Sequence, residues 1–257
     1  MKREVRVFFI ALMAFLLIAS VVIRFLDVRA EREESVLSLG QVVPPSGTVQ
    51  FVAQGAPFSR YVRTNIAIEY DGHDWLLQDI EEVKSRLAEA QEGKAIFVTD
   101  SGYLSRSYRD FNRDVLNRLS TVNDPRYLAL PNEISDRVKE LSLRITEGMP
   151  TPFEKAKAIE TFLRVRYTYK MDYAPPPPGW EPNDWFLFES REGVCGNFTS
   201  AFVVLARASG LPARVAAGYY LPPTEKQTQP VYAGEAHAWA EVAFTEFGWL
   251  AFEAVPP

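Results

Sequence analysis

Two stretches near the end of the chain alternate apolar and polar side chains with a period of two, and a stretch of helical periodicity precedes them. Glu235 to Phe244 sets Ala238, Ala240, Val242 and Phe244 on one face, with His237, Trp239 and Glu241 on the other. After a turn at Glu246 to Gly248, the run from Trp249 to Ala254 opposes Trp249, Ala251 and Glu253 to Leu250, Phe252 and Ala254. Upstream, Phe198, Ala201, Phe202 and Leu205 recur at i, i+3, i+4 and i+7 until Gly210 and Pro212 stop the pattern. The spacing predicts a helix and then two strands. If the strands form a hairpin, parity lets His237 and Glu253 share a face, and register decides whether they meet.

The predicted helix begins at Cys195, which Gly193 and Gly196 flank. Unpaired N–H groups and the positive end of the helix dipole favour a thiolate there, and the glycines let a substrate approach the backbone. The position admits two fates, an activated nucleophile or an inert buried thiol. His237 and Glu253 shift the balance, because a thiol, an imidazole and a carboxylate on three successive elements are the parts of a nucleophile, base and orienter set. Trp239 and Glu241 share the face of His237, as wall or hydrogen-bond partners or as simple packing. Arg214 and Gly218 read as structural.

The chemistry available is otherwise limited. One cysteine among 257 residues excludes an internal disulfide framework and any multi-cysteine zinc site, so no metal and no cofactor is expected. A net charge of −5, with no basic stripe, argues against nucleic acid as a partner. Hydrophobic residues at 47% and charged residues at 24% suit a globular domain with a sizeable core.

The uncharged run from Val7 to Ile23, extended by Phe25 and Leu26, approaches the roughly 20 residues that cross a bilayer. It reads as an uncleaved anchor, with a signal peptide cut after Ala30 as the alternative. Both place the remainder outside the cytoplasm, so the expectation is a single-pass protein held at the membrane through residues 7–26. Residues 31–47 read as a linker. Thr48 to Ala53 and Tyr61 to Tyr70 are predicted strands, the second with Val62, Thr64, Ile66, Ile68 and Tyr70 on one face. Leu77 to Ala90 is predicted helical, with Gly93 as its cap, and Ala95 to Val98 is a short strand. Together they predict a small mixed α/β companion region over residues 48–126. His73 lies in a turn as a solvated or capping residue. Further on, Ile134, Val138, Leu141 and Ile145 form a helical stripe, and Thr151-Pro152-Phe153-Glu154 reads as a capping box opening the next helix. Tyr167 to Tyr169 turns extended, and Pro175 to Pro178 forms a stiff loop.

The segments TPFEKAKAIETFLRVRYTY, DWFLFESREGVCGNFTSAFVVLARASGLPARVAAGYY, EAHAWAEVAF and GWLAFEAVPP resemble the transglutaminase-like superfamily of the membrane-anchored bacterial and archaeal type, in order and spacing. The resemblance covers Tyr127 to Pro257. It implies an α+β fold with a papain-like core in residues 127–257: a helix carrying the cysteine, packed on an antiparallel sheet carrying the other two residues. It further implies Cys195 as nucleophile, His237 as general base and acid, and Glu253 as third member. The family most often has Asp where Glu253 stands, so a longer side chain must reach the imidazole. The implied chemistry is acyl transfer on glutamine carboxamide or peptide amide groups of a protein or peptide substrate. A cell-envelope cysteine protease or amidase with the same three residues, or a non-catalytic binding module, is the alternative. The backbone N–H of Cys195 is the natural oxyanion donor, and Tyr167 or Tyr169 is a candidate second donor.

Overall fold

The computed structural model describes residues 36–38, 47, 49–54, 61–79, 96–97, 104–222, 224, 226 and 228–257. The run 7–26 lies outside them, as does the stretch 80–95 that holds most of the predicted helix after Leu77 and its cap at Gly93. Among the described residues, no helix is long and apolar enough to cross a membrane. The chain divides into the units Met1–Val36 and Leu37–Pro257.

The strands in chain order are β1 (Val36–Ser38), β2 (Val49–Gln54), β3 (Tyr61–Tyr70), β4 (Asp74–Asp79), β5 (Ile96–Phe97), β6 (Arg106–Ser107), β7 (Thr168–Tyr169), β8 (Glu192–Gly193), β9 (Ala213–Tyr220), β10 (Thr228–Tyr232), β11 (Ala236–Phe244) and β12 (Gly248–Phe252). The main sheet runs β1-β4-β3-β9-β11-β12-β6, while β10-β2-β5 and β7-β8 form smaller sheets. Among the described residues the long helices are α1 (Asp136–Thr146), α2 (Pro152–Arg166) and α3 (Cys195–Ala208). An α+β core results, with α3 packed on β9 and β11 and α2 reaching β12.

Local chemistry starts α2 and α3 where the sequence predicts, and caps α1 at Ser135, one residue into the predicted stripe. Ser135 accepts the Val138 N–H at the head of α1, and Thr151 accepts the Glu154 N–H at 3.1 Å with Pro152 in the first turn of α2. At the head of α3 no hydroxyl is present. Asn197 Oδ1 instead takes the Val194 N–H at 3.0 Å. Gly193 makes this possible, because a Cβ there would stand 2.7 Å from the Asn197 side chain. Phe198, Phe202 and Leu205 of α3 are fully buried with Val242, Phe244 and Phe252 of the sheet. Phe202 and Phe252 stack at 5.5 Å.

Several expectations need correcting. Val36–Ser38, expected in the linker, is a strand. Leu77, Gln78 and Asp79, expected to open a helix, end β4, because the turn at Gly72 returns the chain to pair antiparallel with β3. The alternation expected along β3 is broken. Its pairing with β9 shifts between Arg63 and Asn65, and Thr64, Ile66 and Ile68 are only partly buried. Nor does the expected companion region make a sheet of its own. β3 and β4 extend the core sheet beside β9, and only β2 and β5 lie in a separate sheet with β10. Trp75 of β4 is 0% exposed and donates from Nε1 to Ser200 Oγ of α3 at 2.8 Å. The second face of the sheet is covered too, since Tyr61, Ala216, Trp239 and Ala251 cluster there.

Candidate active site

Cys195 is the first residue of α3, and His237 is the second residue of β11. Their side chains are hydrogen-bonded, and the Cys195 sulfur also accepts the backbone N–H of Ala238. On the other side of the ring, His237 Nε2 lies 2.7 Å from Glu253 Oε2. Nδ1 is therefore the nitrogen left to face the thiol. All three residues picked from the sequence come together in one line of hydrogen bonds.

Glu253 does not stand on a strand. β12 ends at Phe252, and α2 takes over the backbone of the next residue. Glu160 Oε1 accepts the Glu253 N–H at 3.0 Å, while Arg164 Nη1 donates to the Glu253 carbonyl at 3.1 Å and to the Val255 carbonyl at 2.6 Å. Glu160 and Arg164 are four residues apart and so share a face of α2. Register sets the rest: β11 pairs Ala240 with Phe252 and Glu241 with Ala251, which leaves Glu253 diagonal to His237 on one face. The longer reach of Glu over Asp fits this diagonal.

The electrostatics favour an ion pair. Burial opposes ionisation of the Cys195 thiol, but the hydrogen bond and charge of His237 outweigh it and hold the thiol below its ordinary range. Burial likewise opposes charge on His237, yet the Glu253 carboxylate and the thiol push the imidazole up to about 10. Burial would raise Glu253, and the imidazolium beside it keeps its carboxyl below the usual value instead. The pairing therefore favours the thiolate and the imidazolium over the neutral thiol and imidazole.

A cavity of about 590 Å³ opens at the His237 and Glu253 end of this line, with Tyr61, Arg109, Tyr169 and Tyr220 also among its lining residues. Tyr169 is 42% exposed and faces Cys195 closely enough to feel its charge. Tyr167 is excluded as an oxyanion donor, because its buried hydroxyl donates to the Leu187 carbonyl at 2.9 Å. Glu241 stands apart from His237. Fully buried, it accepts from Arg63 and Arg214 at 2.7 Å each and from Ser105 at 2.5 Å, and the two guanidinium groups outweigh its burial to hold its carboxyl at about 2. Gly218, opposite both His237 and Arg63, has no room for a side chain: a Cβ would stand 2.0 Å from the Val62 carbonyl oxygen. His73 is exposed, with its N–H on Asp71 at 2.9 Å in the expected turn. Among the described residues, no cluster of His, Cys, Asp and Glu could hold a metal ion.

Sequence reasoning missed Tyr61, Glu160 and Arg164. Glu160 left a trace, as a carboxylate among Ala156, Ile159 and Leu163 on the apolar stripe of α2, where charge is costly unless paired. Tyr61 left none.

A cysteine-bearing helix packed on a largely antiparallel sheet, with a histidine on β11 facing the thiol and an acid just past β12 behind that histidine, makes a papain-like core. Residues 139–254 match the family model of the transglutaminase-like superfamily. Among curated proteins, YebA of Bacillus subtilis is 39% identical over 136 residues, which is 50% of this chain and 18% of that protein. The protein-glutamine gamma-glutamyltransferase of Pseudomonas aeruginosa is 33% identical over 132 residues, 50% of this chain and 19% of that protein. This chain thus spans less than a fifth of the length of these relatives. The periplasmic domain of TgpA from Pseudomonas aeruginosa superposes with a TM-score of 0.58 at 17% identity, covering 86% of this chain and 92% of that one. The shared fold therefore reaches well outside the matched segment.

Proposed function

We propose that the chain carries out thiol-dependent acyl transfer on glutamine carboxamide or peptide amide groups, using Cys195, His237 and Glu253. The observation that carries this reading is the unbroken thiol–imidazole–carboxylate line, whose His237 and Glu253 line an open cavity. The likeness to a protein-glutamine gamma-glutamyltransferase supports the substrate class.

The Cys195 thiolate attacks the carbonyl carbon and forms the S–C bond. The backbone N–H of Cys195 steadies the oxyanion, a donor whose loss typically costs about 3 kcal/mol of barrier. As the C–N bond breaks, the His237 imidazolium gives its proton to the departing ammonia or amine. The thioester then meets a primary amine or water, from which neutral His237 takes a proton as the new bond forms and the thiolate leaves. Glu253 holds the ring in place and stabilises its charged form.

The test incubates the full chain, solubilised in detergent, with a glutamine-containing peptide and a small primary amine. Mass spectrometry should find the amine incorporated with loss of ammonia, and Cys195→Ala should abolish it. Conversion of glutamine to glutamate alone would mark water as the acceptor. A peptide left unchanged, or changed equally by Cys195→Ala, would overturn the reading.

We further propose that residues 7–26 anchor the chain with its core on the extracytoplasmic side, supported by the uncharged run from Val7 to Ile23. Full-length chain retained in membranes after carbonate extraction is the expected result. Soluble chain beginning at Glu31 would show cleavage instead.

A further inference from the structure

Glu253 differs from an aspartate by one more rotatable bond, so its carboxylate needs restraint beyond that of its backbone. Its Oε1 takes the Val255 N–H at 3.0 Å, and Oε2 takes both His237 Nε2 at 2.7 Å and the Tyr61 hydroxyl at 3.0 Å. We propose that Tyr61 is a positioning residue that aims the Glu253 carboxylate at His237, so that a strand preceding the family-matched segment completes the site. This rests on the reading of Cys195, His237 and Glu253 as the reactive set.

The phenol is itself held on every side. Tyr61 is 8% exposed, with its ring 5.0 Å from that of Trp239, 5.5 Å from that of Tyr220 and stacked along His237 at 6.2 Å. Its backbone lies opposite Tyr220 in the β3–β9 ladder, and its carbonyl accepts the Ser105 N–H at 3.2 Å. A hydroxyl on so fixed a ring can reach one carboxylate oxygen and little else. Burial and the adjacent Glu253 charge push the phenol far above its ordinary range, so it stays a proton donor at any working pH. Donation to the carboxylate favours its charged form and lowers the pH at which it protonates.

Tyr61→Phe keeps the ring and removes only the donor. With two histidines in the chain, nitrogen-15 labelling of histidine reads the His237 Nε2–H against His73 alone. In the full chain, the downfield proton signal of this hydrogen bond should vanish about half a unit to one unit higher in pH in Tyr61→Phe than in the parent. The acid limb of kcat for a glutamine peptide and a primary amine should move with it, while KM stays unchanged. A 3-fluorotyrosine placed at position 61, a stronger donor of the same shape, should shift both the opposite way. Coincident acid limbs in parent, Tyr61→Phe and fluorotyrosine forms would overturn the proposal and leave the site reading standing. A parent that lacks the signal and alkylates like an ordinary thiol would remove the site reading, and this proposal with it.

Discussion

Cys195 owes its ionisation more to His237 than to the helix it begins, because the thiol is buried and the imidazole reverses the cost of that burial. Labelling by iodoacetamide should therefore persist well below the unperturbed thiol value of about 8.5, and His237→Gln should push the thiol titration to or above that value, because the cost of burial is then unopposed. With a single cysteine in the chain, the label count reads the site directly. Glu253→Gln should keep the fold and lower turnover by roughly 10²-fold or more, since an amide cannot stabilise the imidazolium. Circular dichroism and steady-state rates check the two halves of that statement. Glu241, its rival on the same sheet face, has a different task. Its removal leaves Arg63 and Arg214 buried without their counter-charge, so Glu241→Ala should destabilise the fold by about 3–5 kcal/mol in urea titrations. Because the folded carboxyl sits near 2, below its ordinary 4.5, its contribution is present above about pH 4.5 and lost as pH falls towards 2. Urea midpoints of the parent should fall across that window, and those of Glu241→Gln should fall less. Cys195 and His237 were legible because each breaks a local pattern, a thiol between glycines at a helix start and an imidazole in an alternating strand. Tyr61 was illegible because a tyrosine in a strand is ordinary and its role depends on a carboxylate 192 residues away.

α2 does more than fill the core, since Glu160 and Arg164 replace the strand partner that Glu253 lacks. Arg164→Met strips the Glu253 and Val255 carbonyls of a donor while keeping the aliphatic stem. It should lower kcat about tenfold with thiol alkylation unchanged, as steady-state and labelling rates would show. β4 acts on the other partner. Trp75→Phe keeps an aromatic ring but leaves Ser200 of α3 without its donor and part of the indole's buried volume unfilled, and should cost about 2 kcal/mol or more in thermal or urea unfolding. The helix start at Thr151 was readable because capping is a short-range interaction within four residues. β9 and β10 drew no prediction. Both were missed because their pairing partners, β3 with β11 and β2 respectively, are remote in sequence.

The region before residue 104 is part of the same folding unit from Leu37 onward. A fragment covering residues 127–257 would leave β9 as an edge strand without β3, open the Trp239 cluster and empty the seat of Trp75 on α3. It should therefore fail to fold cooperatively, visible as a broad melting transition and strong binding of a hydrophobic dye. The resemblance to the transglutaminase-like superfamily supplied the three residues that meet at the thiol, while the amino-acid sequence by itself marked the starts of α2 and α3 and the alternation of β11 and β12. Those depend on spacing along a few turns or one strand pair, where backbone geometry alone decides direction. Only the tertiary structure decided that Glu253 is aimed by α2 and by the Tyr61 hydroxyl, that Glu241 belongs to two arginines, and that β3 and β4 widen the core sheet. Each of these is a contact between segments far apart in the chain, and neither periodicity nor propensity carries information about which distant partner a side chain will meet.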